Sequence, residues 1–307
     1  MFTAEQEIDI ITQVREEHPD IGFPDVFRSP MWYGRMGKQQ VDDWSVIIGR
    51  VPVFNEAGFE TDEFVDEAWK PCSKEYQLVR HEVALHLFEK AMESEDIKVY
   101  GQCDISVELI NGGRRCYITA DFPECKEELK PGRPLTPKAG VRNSNDLTLE
   151  FSRWFGAMEL VCANGMVAFK INQSASKKHR QNLDIDFEIK GVIEGMNDFA
   201  EQTDIWKNWV DVQLASADAE VIMAALPFGS RHNEEILALP ETGTGDKVSD
   251  WLAGGKVNLY DMYGIYTQFL THNVESDMVR VTKGEEVARV FHNYEQVLQR
   301  SARKSEG

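Results

Sequence analysis

Apolar and polar positions alternate most regularly between residues 98 and 122. Val99, Cys103, Ile105, Val107 and Leu109 fall on one side, with Gln102, Asp104, Ser106 and Glu108 on the other. A period of two is the pattern of a half-buried strand. After Asn111-Gly112-Gly113 the alternation resumes with Cys116, Ile118, Ala120 and Phe122. A two-residue turn at Asn111-Gly112 predicts a hairpin with Val107 opposite Cys116 and Ile105 opposite Ile118. The same register sets Glu108 opposite Arg115, a favourable cross-strand pair.

A second alternating run follows the polar turn cluster Arg142 to Asp146. Leu147, Leu149 and Phe151 alternate with Thr148, Glu150 and Ser152, which predicts another strand. Met158 to Cys162 and Met166 to Ile171 read as two further strands. Asn164 and Gly165 between them read as a tight turn, because both tolerate positive φ. Lys177-Lys178-His179-Arg180 then forms the most basic patch of the chain, closed by Gln181 and Asn182.

Helical spacing appears in six places. Ile8, Ile11 and Val14 mark a short helix over residues 3–18. Tyr76, Val79, Val83, Leu87 and Ala91 mark one over 73–95, with Ser73 as its N-cap. Residues 186–200, 211–225, 259–273 and 285–303 supply the others, the third of these rich in aromatics. Trp44 to Phe54 predicts a strand, with the part around Pro52 at an edge or a strand end. The acidic segment Glu56 to Glu67 suits a loop or a short helix, and residues 19–40, 123–140 and 229–256 read as turns and loops. The pattern predicts an α+β fold: an antiparallel sheet built around a central hairpin, with helices packed on one face and a helical C-terminal part. The expected organisation is an N-terminal segment (1–72) packed on the main domain, an α+β core domain (73–200) and a mainly helical part (201–307).

Composition adds limits. The 307 residues are 42 % hydrophobic, enough for a sizeable core. Fifty-two acidic against 33 basic residues give a net charge of −19, which argues against a phosphate binder over the whole surface. A local cationic groove stays compatible, because screening limits exposed charges to a reach of about 8–10 Å. No apolar run approaches the roughly 20 residues that span a bilayer, so no membrane partner is expected. The N-terminus has no basic start and no small-residue cleavage site, and the expected setting is the cytoplasm. Five cysteines without a C-x-x-C suit free thiols in a reducing compartment.

Two motifs fail on spacing. In His81-Glu82-x-x-x-His86 the histidines are five apart, about 140° around a helix, where a zinc site needs four. In Thr242 to Lys247 an aspartate separates glycine from lysine, which breaks the phosphate-loop pattern. No metal and no cofactor is expected.

Taken together, several of these segments resemble the phage- and plasmid-like proteins grouped as domain of unknown function 932. The resemblance runs from about Tyr76 to Asn293 and rests on Gly112-Gly113-Arg114-Arg115 and on the block from Ala157 to Met166. His179 with Asn182, and the helix ending at Tyr266 to His272, complete it. Many members carry a His-Asp-Gly turn before the central strands, whereas this chain has Asn143-Ser144-Asn145-Asp146. The resemblance implies a setting among phage, prophage and plasmid genes, often beside genes of DNA metabolism.

The leading functional expectation is binding of single-stranded DNA, with recombination or annealing as its setting, where a cationic groove meets aromatic faces on which bases stack. Its candidate residues are Arg142, Asn143, Arg153, Trp154, Lys170, Lys177, Lys178, His179, Arg180 and Asn182. The alternative is a protein that modulates a host or phage partner through its acidic segments, Glu56–Glu67 and Glu124–Glu128. A protein partner in replication or recombination, or a second copy of the chain, would also fit. Asp146, Glu150, Glu159, His179 and Asp184 offer acid–base groups, but no paired spacing or activated nucleophile turns them into a catalytic pattern.

Overall fold

Thr3 accepts a hydrogen bond from Gln6 N, and the Gln6 side chain accepts one from Thr3 N. This reciprocal capping box starts α1 (Ala4–Glu17), whose Ile10 and Val14 are buried. The computed structural model describes residues 2–33, 39–54, 60–130, 133–159, 164–166, 176–177, 179, 184–197, 199–239, 247–254, 257–274 and 277–305. The fold is mixed α and β, with antiparallel sheets and a helical C-terminal part. Contacts divide it into two units interleaved along the chain. The first is Met1–Asp121, Ala139–Trp154 and Ser174–Glu194; the second is Phe122–Lys138, Phe155–Gln173 and Gly195–Gly307.

In the first unit, β1 (Asp25–Tyr33), β2 (Gln39–Phe54) and β3 (Glu60–Ser73) form an antiparallel sheet in that order. Val26, Ile47, Trp69, Cys72 and Tyr76 make its buried cluster. The acidic stretch expected as loop or helix is therefore strand from Glu60 onward. Pairing with β2, including Arg50 opposite Asp66 and Val51 opposite Val65, overrides the weak strand propensity of the acids. Residues 25–33, expected among turns, form an edge strand, where Pro30 deprives no inner ladder of a donor.

The helix expected from Ser73 begins later, as α2 (His81–Met92), because Ser73 is the last residue of β3. Its buried face holds Val83, Ala84, Leu87, Phe88 and Ala91. A single turn, α3 (Glu95–Lys98), follows. The predicted hairpin is present as β4 (Asp104–Ile110) and β5 (Arg115–Asp121). Its register differs by two: Val107 faces Ile118, Leu109 faces Cys116, and Glu108 faces Tyr117 rather than Arg115. The cause is a longer turn, in which Asn111, Gly112 and Gly113 all have positive φ, at 57°, 64° and 77°. A slip of two leaves every side chain on its expected face.

The loop expected over residues 123–140 is instead two strands, β6 (Glu127–Lys130) and β7 (Arg133–Ser144). β8 (Phe151–Glu159), β9 (Asn164–Met166) and β10 (Ser176–Lys177) complete the larger sheet, ordered β10-β8-β7-β5-β4, with β6 on β7 and β9 on β8. Leu147 and Leu149, expected in a strand, lie in the turn before β8, and Leu147 has φ 59°. In the first unit one face of this sheet is buried, with Cys116, Ile118, Ala120, Val141 and Phe151 fully enclosed. α4 (Ile185–Asn197) packs on that face, Gly191 meeting Arg153.

The second unit holds α5 (Phe199–Asp211), β11 (Gln213–Leu214), α6 (Ser216–Ala225), α7 (Ser230–Leu237), α8 (Val248–Ala253) and β12 (Val257–Asn258). α9 (Leu259–Asn273), α10 (Asp277–His292) and α11 (Tyr294–Ser305) follow. α9 is apolar on nearly all sides and is the core of the unit. Asn258 Oδ1 caps it by accepting from Asp261 N, and the Lys130 ammonium pairs with Asp261. Trp209 and Phe291 meet Tyr263 edge-on at 5.4 and 5.2 Å between ring centroids. Two helices thus occupy the stretch 229–256 that sequence patterning reads as loop; its glycine-rich part, residues 242–246, lies outside the described residues. The single terminal helix expected over 285–303 is two helices that meet at Asn293. Among the described residues no helix is long and apolar enough to cross a membrane.

Candidate functional site

Asn143 stands on the inner face of β7 and is fully buried. Its Nδ2 donates to Val79 O at 2.7 Å and to His81 Nδ1 at 2.9 Å. An imidazole that accepts at Nδ1 carries its proton on Nε2 when neutral, so His81 donates to Gly113 O at 2.9 Å. Burial holds this ring neutral, with its pKa lowered to about 4. Asn145 Nδ2 lies 3.2 Å from the same Nε2. The network ties the start of α2, the 111–114 turn and the end of β7 together. Asn143, expected at a nucleic-acid surface, is instead an interior hydrogen-bonding group, as is His81.

The turn after β7 is organised by Asp146. Ser144 Oγ donates to Asp146 Oδ1 at 2.6 Å, Thr148 N at 3.1 Å, and the Thr148 hydroxyl donates to the same oxygen. Burial pushes the Asp146 carboxyl up, but these bonds and the charge of Arg115 outweigh it and hold it below the usual range. Arg115 Nε donates to Thr148 Oγ1 at 2.9 Å and lies 3.8 Å from Asp146 Oδ2.

Beside this turn is a cleft of about 600 Å³ whose walls include Tyr76, Thr148, Glu150 and His179. His179, expected in an exposed basic rim, is only 5 % exposed. Its ring stacks on Tyr76, with centroids 5.2 Å apart and planes at 14°. Nδ1 lies 3.2 Å from Gln77 O, which fixes the N–H there, and the backbone reciprocates through Gln77 N to His179 O. Burial lowers its pKa to about 4.

The opposite face of the sheet carries a different set. Bonds from Asn145 N to Arg114 O and from Phe122 N to Pro137 O give β5 and β7 one antiparallel register, which brings Arg142 alongside Tyr117. Arg142 Nε donates to Ser152 Oγ, while its Nη1 is buried with no hydrogen-bond partner among the described residues. One rung further, Trp154 lies over Gly140, where a Cβ would approach the indole to 2.6 Å. Arg142, Tyr117 and Trp154 are all partly exposed. Arg153 points the other way. It is 9 % exposed, and a Cβ on Gly191 would fall 1.5 Å from its Nη1, so it is an interior residue and not part of any groove.

Of the remaining expected residues, Lys170, Lys178, Arg180 and Asn182 lie outside the described residues. Lys177 is in β10, its backbone opposite Phe151. Asn164 and Gly165, expected as a turn, are strand residues of β9 that pair with Glu159 and Met158. The four described cysteines, Cys72, Cys103, Cys116 and Cys125, are free. Among the described residues the group that gathers three metal-type ligand atoms is Glu17, His18 and Glu89, not the His81–His86 motif. Sequence patterning missed Tyr117 and Arg115 on the open face and Tyr76 in the cleft. The hairpin alternation could have placed the first two on one side.

The family described as Domain of unknown function (DUF932) matches residues 69–286 of the chain. No curated protein and no solved structure matches it.

Proposed function

The chain belongs to the DUF932 family, and from the geometry of its first unit we propose that it binds single-stranded DNA. The observation that carries this reading is that Trp154, against Gly140, and Arg142, bonded to Ser152, are both partly exposed on the same sheet face. A partly exposed indole over a glycine offers a flat surface for a base, a contact of about 1–3 kcal/mol in single-strand binders. The Arg142 side chain is partly exposed, and its Nη1, which has no partner among the described residues, is a donor that a phosphate oxygen would satisfy once the guanidinium swings outward. Tyr117 and Arg115 extend the same face in the right chemical sense. With a net charge of −19 on the chain, attraction to phosphate is local, so binding is weak and sensitive to salt. In this reading the protein serves DNA metabolism of a phage or mobile element, as a recombination or annealing factor.

The test is fluorescence anisotropy with a labelled forty-nucleotide single strand in low salt. Binding that weakens in both Trp154→Ala and Arg142→Ala supports the reading; no binding by the unmodified protein overturns it.

A second reading has its own observation. Trp32, Trp44, Phe64 and Val65 of the three-stranded sheet are 54, 47, 60 and 51 % exposed, more apolar surface than a free sheet needs. A protein partner that covers them would make the chain a modulator of a host or phage protein. Crosslinking from residue 44 to a co-purifying protein, lost in Phe64→Ser, supports that reading, and an unchanged crosslink pattern counts against it.

A further inference from the structure

Where α1 ends against α2, the first unit sets two carboxylates around one imidazole. Glu17 is the last residue of α1 and His18 is its C-cap, while Glu89 belongs to α2. His18 Nε2 lies 2.8 Å from a Glu89 carboxylate oxygen. One ligand atom from each of Glu17, His18 and Glu89 lies within 4.8 Å of the other two. Bonds of about 2.0–2.2 Å to a tetrahedral zinc ion hold its ligand atoms about 3.4 Å apart, so small side-chain shifts seat all three on one ion.

The charge of this group is poorly balanced. Among the described residues no lysine or arginine pairs with Glu17 or Glu89: Arg15 is spent on Asp25 and Glu82, and Arg80 on Glu7. Glu17 accepts from the neutral Gln13 amide at 2.9 Å, and Glu89 has His18, a cation only when protonated. The negative end of the α1 dipole falls on the same spot and favours a cation there.

His86 supplies a further, independent observation. It lies three residues before Glu89, on the same side of α2, and is half-buried. Among the described residues it has no hydrogen-bond or ion-pair partner. Burial raises the Glu89 pKa, His18 opposes that rise, Glu17 adds to it and His86 opposes it, so all four groups act at one place. Two imidazoles with two carboxylates suit a zinc-type ion, whereas magnesium and calcium take oxygen ligands.

We propose that Glu17, His18, His86 and Glu89 bind one zinc-type divalent ion that fastens α1 to α2. α1 precedes the residues shared with the family, 69–286, and α2 lies among them, so the ion ties the N-terminal helix to the family domain. The site does not depend on single-strand binding.

Titration calorimetry with zinc chloride tests it, on the untagged full chain stripped with EDTA. The expected result is one-to-one binding, a higher melting temperature with zinc than without, and the intense visible bands of four-coordinate cobalt when cobalt replaces zinc. Magnesium should produce no binding heat and no stabilisation. His18→Ala and Glu89→Gln should each weaken zinc about a hundredfold or more, beyond the 10–100-fold typical of losing an outer-shell partner. His86→Ala should weaken it too and shift the cobalt bands, whereas His232→Ala, at an exposed histidine in the second unit, should change nothing. His18→Ala serves alone if Glu89→Gln does not fold. Zinc binding that is absent, or that is unchanged in a folded ligand variant because thiols or scattered surface groups hold the ion, overturns the proposal.

Discussion

The imidazole of His179 lies nearly parallel to the ring of Tyr76, their centroids 5.2 Å apart. The stack shields His179 from water as His81 is shielded under the 111–114 turn, and both rings are held neutral by burial.

The pH dependence of stability follows. Each folded pKa is about 4 against 6.5 for the free ring, so between those values the unfolded chain binds more protons. The stabilising contribution is complete above pH 6.5 and is lost progressively as pH falls toward 4. The slope is at most about 1.4 kcal/mol per pH unit for each ring. Urea midpoints from pH 7.5 down to 5 should fall, and His179→Phe should make that fall less steep. A midpoint flat over that range would contradict the buried neutral rings.

Asn143→Ala should cost about 1–3 kcal/mol, because Val79 O and His81 Nδ1 both lose their donor. The folded variant should bind single strands as the unmodified protein does. Weakened binding at unchanged stability would place Asn143 at a surface after all.

Gly191→Ala should be more damaging than an alanine normally is in a helix. Its methyl group meets the Arg153 guanidinium, which is buried and has little room to withdraw. Overpacking of this kind costs about 1–3 kcal/mol, which chemical denaturation would read directly. A gain in stability, as helix propensity alone predicts, would rule out that contact.

Much of this arrangement was legible in the chain, and what was not has definite physical reasons. The faces of the β4–β5 hairpin follow from alternation, which survives a register slip of two; the register depends on three consecutive positive φ values that no pattern announces. β7 was hidden by its prolines, of which Pro134 pairs in the ladder opposite Glu128 in spite of its missing donor. β3 was hidden by its acids, since cross-strand partners rather than propensity make it a strand. In the candidate site, Arg142 and Asn143 are adjacent in a strand, as are Arg153 and Trp154. Neighbours in a strand point to opposite faces, so only one of each pair could reach a groove. Which one depends on where the helices pack, and that is settled by Gly191 and Val79, remote in sequence.

The salt dependence of single-strand affinity tests the central claim most directly. Log affinity against log salt should fall linearly, and Arg142→Ala should flatten the slope by about 0.7, the loss of one phosphate contact. Trp154→Ala should weaken binding by about 1–3 kcal/mol and leave the slope as it was, because stacking releases no counterions. If the unmodified protein does not bind, or if the two variants match it in both affinity and slope, the open sheet face is not a nucleic-acid surface.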